Sequence, residues 1–506
     1  MPRSSRLAVL PPIAVALLIA FFGTNVPFWD EWDLATLLEK LARHQATLAD
    51  FFALQSEHRF VVPKLILAPL ALATHWNVIA ELWLSFAVAV AGYIGLLVLL
   101  RRADAARIIV TSLAYFSLAA YENWLWGWQL SWFLTITLFI WAVVAAGTIE
   151  NRALQIASAA PLCILATFSS AYGIVSWIAL APILWQPAAH RLSAMAAWLV
   201  MFLASLGIYL HGFHVTPSSG SVLLSIPYAI AVIGSPLSRA SVVAVLCGVL
   251  LVSRFAILAT RAWRQRDREA LHWIPLGLFA IAFAAVNAIG RSGLGLPQAL
   301  SSRYLTPASL LLIAVVNLEQ RFRRLVLVAV SAALIVQSLT SIPIAWQIKR
   351  SRDQARLCLD LLLVNDSADC TAPLAPSSEM LRNAALATHR IGLRPLVTSS
   401  DFVVTPEARG SIDAVSPPPA IHATGRVELP ARGLYAIAAT VQGMRRIVAA
   451  DLVGGAGTFA WSLDLPPHVV QRSGAFEVWL FVPGDRKLYR LPGAMFPKSD
   501  RADRQN

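Results

Sequence analysis

The chain has 506 residues, of which 57% are hydrophobic and only 14% are charged, against roughly 25% charged residues in an ordinary soluble domain. Its formal net charge of +13 could indicate a nucleic-acid partner, but the basic residues stand mostly in short loops between apolar runs, where membrane orientation requires them. The composition therefore excludes a soluble fold for most of the chain and argues against nucleic-acid binding.

Apolar runs of membrane-crossing length follow one another from the N-terminus to about residue 346. A bilayer core about 30 Å thick needs about 20 apolar residues per helix. Arg3 and Arg6 precede the first run as in a signal peptide, but no convincing cleavage site follows, so an uncleaved helix is expected. The predicted fold is an α-helical polytopic membrane domain with about eleven spans, at 8–22, 79–100, 107–121, 130–149, 153–171, 173–186, 193–211, 240–260, 272–289, 304–319 and 325–346.

The arginines assign the two sides of the membrane. With the N-terminus inside, the clusters around Arg101, Arg264 and Arg323 fall in cytoplasmic loops, as the positive-inside rule expects. Two further apolar stretches, 60–74 and 221–236, contain Pro and are about 15 residues long, which favours re-entrant or interfacial segments. The Ala-, Leu- and Arg-rich composition is typical of a bacterial inner-membrane protein.

Two parts of the chain are predicted to lie outside the bilayer on the periplasmic face. The first outer loop, 23–78, contains an apolar stripe from Leu34 to Phe52, which predicts one amphipathic surface helix. After the membrane domain, 1–346, a helical and linker segment, 347–394, leads to a β-rich domain, 395–506, with short alternating runs. Cys358 and Cys370 are predicted to form a disulfide in that oxidising compartment, against two free thiols.

An acidic motif opens the first outer loop. Asp30, Glu31 and Asp33 stand within four positions, flanked by Trp29 and Trp32. Carboxylates this close repel one another, so at least one is expected to have a raised pKa, which suits a general base. We predict that Asp30 and Glu31 are catalytic and that Trp29 and Asp33 contact substrate; the alternative is an aromatic belt with acids at a helix start.

Three further polar groups fall on the same predicted face, and each has a structural alternative. Arg residues are uncommon on this side, and Glu, Asn and Gln are costly near hydrocarbon unless partnered. The structural alternatives are a solvated link between surface helices for the group in the first loop, an aromatic belt for the group in the next loop, and a salt bridge to a loop acid for the group before the tenth span. The predicted substrate-binding residues are Glu57, His58 and Arg59 in the first loop, Glu122, Trp126 and Gln129 in the next, and Arg291, Arg303 and Tyr304 before the tenth span.

This architecture resembles the GT-C superfamily of membrane glycosyltransferases, over about residues 8–346. The resemblance implies a polyprenyl-phosphate sugar donor and a glycan or lipid-linked acceptor. An acid after the first helix is implied to act as the catalytic base or to hold the acceptor, here Asp30 with Glu31 adjacent. It also implies basic outer-loop residues on the donor phosphate, for which Arg303, Arg291 and Arg59 are the positional matches. The context of Glu122 departs from the family's second acidic motif, which leaves the subfamily open.

The sequence contains no nucleotide-binding loop, Ser-His-Asp signature or Cys-based metal spacing. No metal site is predicted and no cofactor is required, although the acidic loop is compatible with a divalent metal. The competing hypotheses are a lipid or glycan transporter or flippase, a glycan polymerase or ligase that uses diphosphate lipids, and a non-catalytic assembly protein. A transporter is disfavoured because the spans are almost free of charge and show no repeat.

Overall fold

The computed structural model describes residues 3–186, 191–213, 220, 222–319, 324–365, 369–404, 409–416, 421–441, 445–465 and 476–493. The described part is mostly helical. Its helices are α1 Leu10–Phe22, α2 Leu34–Ala42, α3 Leu48–Phe52, α4 Val61–Thr74, α5 Val78–Leu99, α6 Ala105–Tyr115, α7 Tyr121–Leu125, α8 Leu130–Thr148, α9 Arg152–Thr167, α10 Val175–Leu184, α11 Arg191–Leu210, α12 Val222–Gly234, α13 Ser241–Gln265, α14 Arg268–Leu271, α15 Trp273–Arg291, α16 Leu296–Ala299, α17 Leu305–Leu318, α18 Arg324–Asp360 and α19 Ser378–Arg390.

Six helical segments of the described part are long and apolar enough to cross a membrane. They are Val78–Leu99, Gly127–Thr148, Leu192–Leu210, Ser241–Gln265, Arg268–Leu294 and Arg324–Asp360, and each overlaps a predicted span. At the other predicted spans the helices are shorter; the run 107–121, for instance, is helical only as far as Tyr115 before a 3-10 turn. The two Pro-containing stretches form helices α4 and α12, of 14 and 13 residues.

The chain divides into two compact units, which are described separately. The helical unit comprises Met1–Asn25 and Arg43–Gln347, and the tail unit comprises Val26–Ala42 and Ile348–Asn506. The acidic motif therefore belongs to the same unit as the C-terminal sheet, although more than 300 residues separate them in sequence.

In the helical unit, α5 packs along α8, α15 along α17, and α12 against both α13 and α15. The α12–α13 contact is close because a glycine on each helix faces the backbone of the other helix. A Cβ on Gly248 would lie 2.0 Å from the Ile230 carbonyl oxygen, and a Cβ on Gly234 would lie 1.8 Å from the Ala244 carbonyl oxygen. Glycine allows this approach because it places no side chain between the two backbones.

The sheet of the tail unit consists of β1 Phe402–Val403, β2 Gly410–Val415, β3 Ile421–Val441, β4 Ile447–Leu465, β5 Phe476–Val482 and β6 Lys487–Arg490. Its order is β1-β6-β5-β3-β2, with β4 also paired to β3. A small C-terminal β-sheet is thus confirmed. Two of its strands, β3 and β4, are longer than the short alternating runs predicted, since they form a hairpin of 21 and 19 residues. Leu357 and Leu361 belong to the same buried hydrophobic cluster as Trp479 of β5.

The prediction of one amphipathic helix over 34–52 is wrong. His44, at a positive φ of 57°, lies between α2 and α3, and α3 starts anew with Thr47 and Asp50 as its cap. The apolar side of α2 is buried, and α19 packs against this helix. Arg390 on α19 makes two hydrogen bonds to the Glu39 carboxylate, at 3.1 and 3.0 Å.

Cys358 and Cys370 are joined by a disulfide, with their Cα atoms 6.0 Å apart. This bond closes a loop between the end of α18 and the 3-10 turn at Asp369–Leu374. Cys163 and Cys247 are free thiols, the former fully buried.

The α12–α13 contact yields a stability prediction. Gly248→Ala should lower the midpoint of thermal unfolding in detergent, because overpacking of this kind costs about 1–3 kcal/mol. Gly207→Ala on α11 is the matched control, since a Cβ there has no neighbour within 4 Å, and it should change stability by less than about 1 kcal/mol. Equal melting temperatures for the two variants would contradict the close packing.

Candidate functional site

A chain of polar contacts links three separate segments of the helical unit. Arg291, at the end of α15, donates from Nη2 to Oε1 of Glu57 at 3.0 Å and from Nη1 to the Tyr304 hydroxyl at 3.1 Å. Glu57 lies in the loop before α4, and Tyr304 directly precedes α17. Charge-assisted hydrogen bonds of this kind are roughly twice as strong as neutral ones. Arg291 therefore fixes the first loop against the ends of two helices.

Hydrogen bonds from the residues just before Tyr304 bring Glu122 into the same group. Its Oε2 accepts hydrogen bonds from the hydroxyls of Ser301, at 3.3 Å, and Ser302, and from the backbone N–H of Arg303 at 3.2 Å. Asn123 adds a bond to the Arg303 carbonyl at 3.0 Å. The loop before α17 is thereby held against α7, and the Glu122 carboxylate is satisfied by neutral donors.

Arg303 itself is held by its backbone and not by its guanidinium. In the part of the chain that the structure describes, the guanidinium makes no hydrogen bond or ion pair, and its Nε is buried without a partner. Its Cζ lies 5.5 Å from the ring centre of Tyr304. A buried donor without an acceptor costs about 1–3 kcal/mol, so this guanidinium has bonding capacity left for a ligand.

Arg239 is a member of the group that sequence reasoning missed. It lies in the loop between α12 and α13, near enough for electrostatic attraction to Tyr121 and Glu122, and its buried Nη1 has no hydrogen-bond partner among the described residues. Burial lowers the pKa of the Arg239 guanidinium, and the two neighbouring groups oppose that shift. The signal was an arginine in a predicted outer loop, the same signal that selected Arg291 and Arg303.

His58 is held in one orientation and tautomer. Its Nδ1 accepts a hydrogen bond from the backbone N–H of Ala171 at 3.1 Å, so that the other nitrogen, Nε2, carries the proton, 3.6 Å from the Glu57 carboxylate. The ring stacks on Phe60 and lies against Tyr172. Burial, together with the positive charge of Arg291, lowers the pKa of His58 to about 4 despite Glu57, so the ring is neutral at pH 7.

The pKa of Glu57 is lowered, as expected for a carboxylate in an ion pair. Burial alone would raise it, but the electrostatic interactions with the His58 ring and with the Arg291 guanidinium, a backbone hydrogen bond and the hydrogen bond from Arg291 together lower the pKa below its ordinary value. Glu57 therefore stays ionised at neutral pH, and its side chain is 38% exposed.

The remaining residues predicted from these loops are buried in the helical unit. The Arg59 guanidinium donates to the backbone carbonyls of Phe52, Tyr209 and His211, which leaves it anchoring the loop. Trp126 and Gln129 are only 3% and 2% exposed. The half-buried ring of Trp132 stacks 6.2 Å from that of Tyr304, between centroids.

The acidic motif lies in the tail unit. Glu31 is completely buried, and its Oε2 accepts a hydrogen bond from the backbone N–H of Phe28 at 3.2 Å. Asp30 and Asp33 are exposed, and Trp29 is 42% exposed with a positive φ of 51°. Of the two acids predicted to be catalytic, Asp30 is the one that solvent or a substrate reaches.

Among the described residues, no group of three or more His, Cys, Asp or Glu side chains is arranged to hold a metal ion. Comparison with known proteins adds no assignment: no protein-family model, curated protein or solved structure matches the chain.

The environment of His58 predicts a pH dependence of stability. The folded state keeps this imidazole neutral down to about pH 4, whereas the unfolded chain takes up the proton near pH 6.5. Stability should therefore fall as the pH drops from about 6.5 to 4, by at most about 3 kcal/mol. His58→Gln should flatten the curve of melting temperature against pH in this range.

The exposed His44 provides the control for this measurement. His44→Gln should leave the slope between pH 6.5 and 4 unchanged. If His58→Gln retains the full slope of the parent protein, another group is responsible for the acid sensitivity.

Proposed function

We propose that the chain is a GT-C-type membrane glycosyltransferase that moves a sugar from a polyprenyl-phosphate donor to a glycan or lipid-linked acceptor. The observation that carries this proposal is the unused guanidinium of Arg303, which its neighbours hold in place without neutralising it. Arginine matches the geometry of phosphate oxygens and keeps its charge at any accessible pH. A lipid phosphate is the anion that the proposed reaction brings to such a residue.

The proposed chemistry is a single displacement at the anomeric carbon. A carboxylate takes the proton of the acceptor hydroxyl, the acceptor oxygen bonds to the sugar carbon, and the bond from that carbon to the phosphate oxygen breaks. The phosphate leaves with the electron pair, and an arginine stabilises its growing charge. One base and one phosphate-binding group suffice for inversion, and the activated donor supplies the energy.

The candidates for the two roles are compared within each unit separately, since Asp30 and Glu31 belong to the tail unit and Arg303, Arg291 and Arg59 to the helical unit. Asp30 is the better base, because it is exposed, whereas the buried Glu31 carboxylate is used to hold the turn at Phe28. For the phosphate, Arg303 is the better candidate, since Arg291 is already paired with Glu57 and Arg59 is bound to carbonyls. Arg291 and Arg59 are thus assigned as residues that position the loops.

We also propose the finer topology of about eleven spans, with the N-terminus cytoplasmic and the tail periplasmic in a bacterial inner membrane. Contacts within the helical unit support it, because they pair loops or span ends predicted for the same side. Arg102 pairs with Glu269, and His272 bonds to the Gly147 carbonyl, all on the predicted inner side. Arg291 with Glu57 joins only predicted outer loops.

A glycan polymerase or ligase that acts on diphosphate lipids is the second candidate. Such an enzyme is expected to use several outer arginines, and the approach of Arg239 to Glu122, which is bonded to the Arg303 backbone, favours it. A transporter is less well supported, since these charged groups lie at helix ends and in loops and not along the spans.

The deciding experiment compares lipid-linked and surface glycans by mass spectrometry in cells with and without the gene. Loss of one sugar per glycan supports the transferase, whereas shorter glycan chains with every sugar present support the polymerase or ligase. Unchanged glycans would overturn both.

We expect Arg303→Gln to lower sugar transfer by about 10²–10³-fold, the typical cost of removing one group that stabilises charge in a transition state. Arg303→Lys should retain part of the activity, because it keeps the charge but loses the planar donor pair. Initial rates of transfer from the lipid-phosphate donor provide the measurement. Arg261→Gln on α13 is the control, and equal rates for it and Arg303→Gln would contradict the assignment.

We expect Asp30→Asn to lower turnover by about 10²–10⁴-fold, the range for loss of a general base. Glu31→Gln should cost less, because the amide oxygen can still accept the Phe28 N–H. Membrane insertion should be normal in both variants. Glu379→Gln, an exposed acid on α19 of the same unit, is the control, and full activity of both loop variants would rule out this base.

A further inference from the structure

We propose a second anion site: a basic pocket of the helical unit, lined by Arg101, Arg107 and His272, binds the phosphate of an anionic membrane lipid. It has a volume of about 400 Å³. The inference does not depend on the proposed glycosyltransferase activity, since none of these residues has a role in it. It rests on the shape of the pocket, on its charge and on the bonding state of its arginines.

The pocket forms where the ends of several helices of the helical unit meet. Val98 and Leu99 come from the end of α5, Thr148 from the end of α8, and Asn317 from the end of α17. His272 and Trp273, at the start of α15, line it as well. Three of the segments long enough to cross a membrane, Val78–Leu99, Gly127–Thr148 and Arg268–Leu294, therefore contribute a terminal region to its wall.

The charge of this wall is positive after its internal ion pairs are counted. Arg101, Arg102 and Arg107 face one lining acid, Glu269, which pairs with Arg102. Asp104 lies outside the lining but approaches Arg107, with 3.5 Å between the charged atoms. Asp267, also outside the lining, is near enough to His272 for electrostatic interaction. The lining itself therefore carries three positive charges against one negative charge, and two further acids lie next to it.

Two of the arginines have unused bonding capacity. Arg101 makes no hydrogen bond or ion pair with any residue in the described part of the chain. Arg107 donates to the Glu319 carbonyl at 2.8 Å, but its Nε is buried without a hydrogen-bond partner. The His272 ring is anchored by its contact with the Gly147 carbonyl, at 3.1 Å from Nε2. A phosphate diester supplies the acceptor oxygens that the arginines lack.

Orientation alone does not require this arrangement. The positive-inside rule is satisfied by arginines on an exposed surface, and Arg261 and Arg264 are of that kind, lying in a shallow depression lined only by residues of α13. At the pocket, by contrast, basic residues from different helices converge on one cavity. Basic pockets between membrane helices on the cytoplasmic side are typical sites for anionic lipid headgroups.

A lipid is favoured over free phosphate because the wall is not purely polar. Val98, Leu99 and Trp273 line the same cavity as the arginines, and they belong to helices whose length and composition suit the bilayer. A headgroup with attached acyl chains can satisfy both parts of such a wall. Inorganic phosphate can satisfy only the charged part.

The test uses the full chain, purified in detergent and depleted of lipid. Phosphatidylglycerol, phosphatidylcholine or inorganic phosphate is titrated in while the melting temperature is followed. We expect phosphatidylglycerol to stabilise the protein at concentrations where the other two do not. Arg101→Gln should raise the half-maximal phosphatidylglycerol concentration about fivefold, the factor for about 1 kcal/mol per arginine at an anionic lipid surface.

Arg264→Gln is the matched control, because it removes the same charge from outside the pocket. It should leave the half-maximal concentration unchanged. Equal stabilisation by phosphatidylcholine would overturn the proposal, as would an equal effect of Arg264→Gln and Arg101→Gln. Stabilisation by inorganic phosphate without a further effect of phosphatidylglycerol would also overturn it, since it would identify a site for the free anion. Arg101→Gln is preferred to Arg107→Gln because Arg107 also holds the Glu319 carbonyl.

Discussion

The bonds of Arg291 to Glu57 and Tyr304 are the interaction on which the candidate site depends. Both side chains of this pair are partly exposed, so removing one partner leaves a partly buried charge without its counter-ion and lowers the stability of the fold. Arg291 is also the contact through which the loop before α4 meets the start of α17. The neutral His58 below it is fixed by the Ala171 amide, so Glu57 is held from two sides. Arg303 directly precedes Tyr304, and its backbone N–H bonds to Glu122, so the Arg291 pair and Glu122 hold the same loop before α17.

This pairing also separates the arginines of the site into two kinds. Arg291 and Arg59 have acceptors within the chain, so a ligand could bind them only by displacing a carboxylate or a backbone carbonyl. Arg303 and Arg239 retain buried nitrogen atoms without acceptors. An anion that enters the site gains most binding free energy from the second kind, because those donors have already lost their contact with water on folding.

The sequence predicted some of this organisation because hydropathy reports burial in lipid directly. Helices occur at the predicted spans, and the C-terminal sheet follows from residue alternation such as that in β5. The partners of individual polar residues were not predictable, since they come from distant segments. The sequence predicts Arg59 as a phosphate ligand, but in the structure its guanidinium donates to the Tyr209 carbonyl. It predicts α2 as part of a surface helix, but α19 packs against α2.

Arg239 lies in a predicted outer loop, after the apolar helix α12. Its position in the sequence does not distinguish it from other arginines of the chain. Location on one side of a membrane does not by itself identify the arginines that bind a ligand, because membrane orientation also requires arginines. Buried donors are a more selective criterion: Arg303, Arg239, Arg107 and Arg152 each retain a buried nitrogen that nothing in the described chain satisfies, whereas Arg101 is exposed and lines the pocket beside Arg107. A polytopic protein can hide few polar groups from lipid without partners, so such donors are the places where a ligand contributes most.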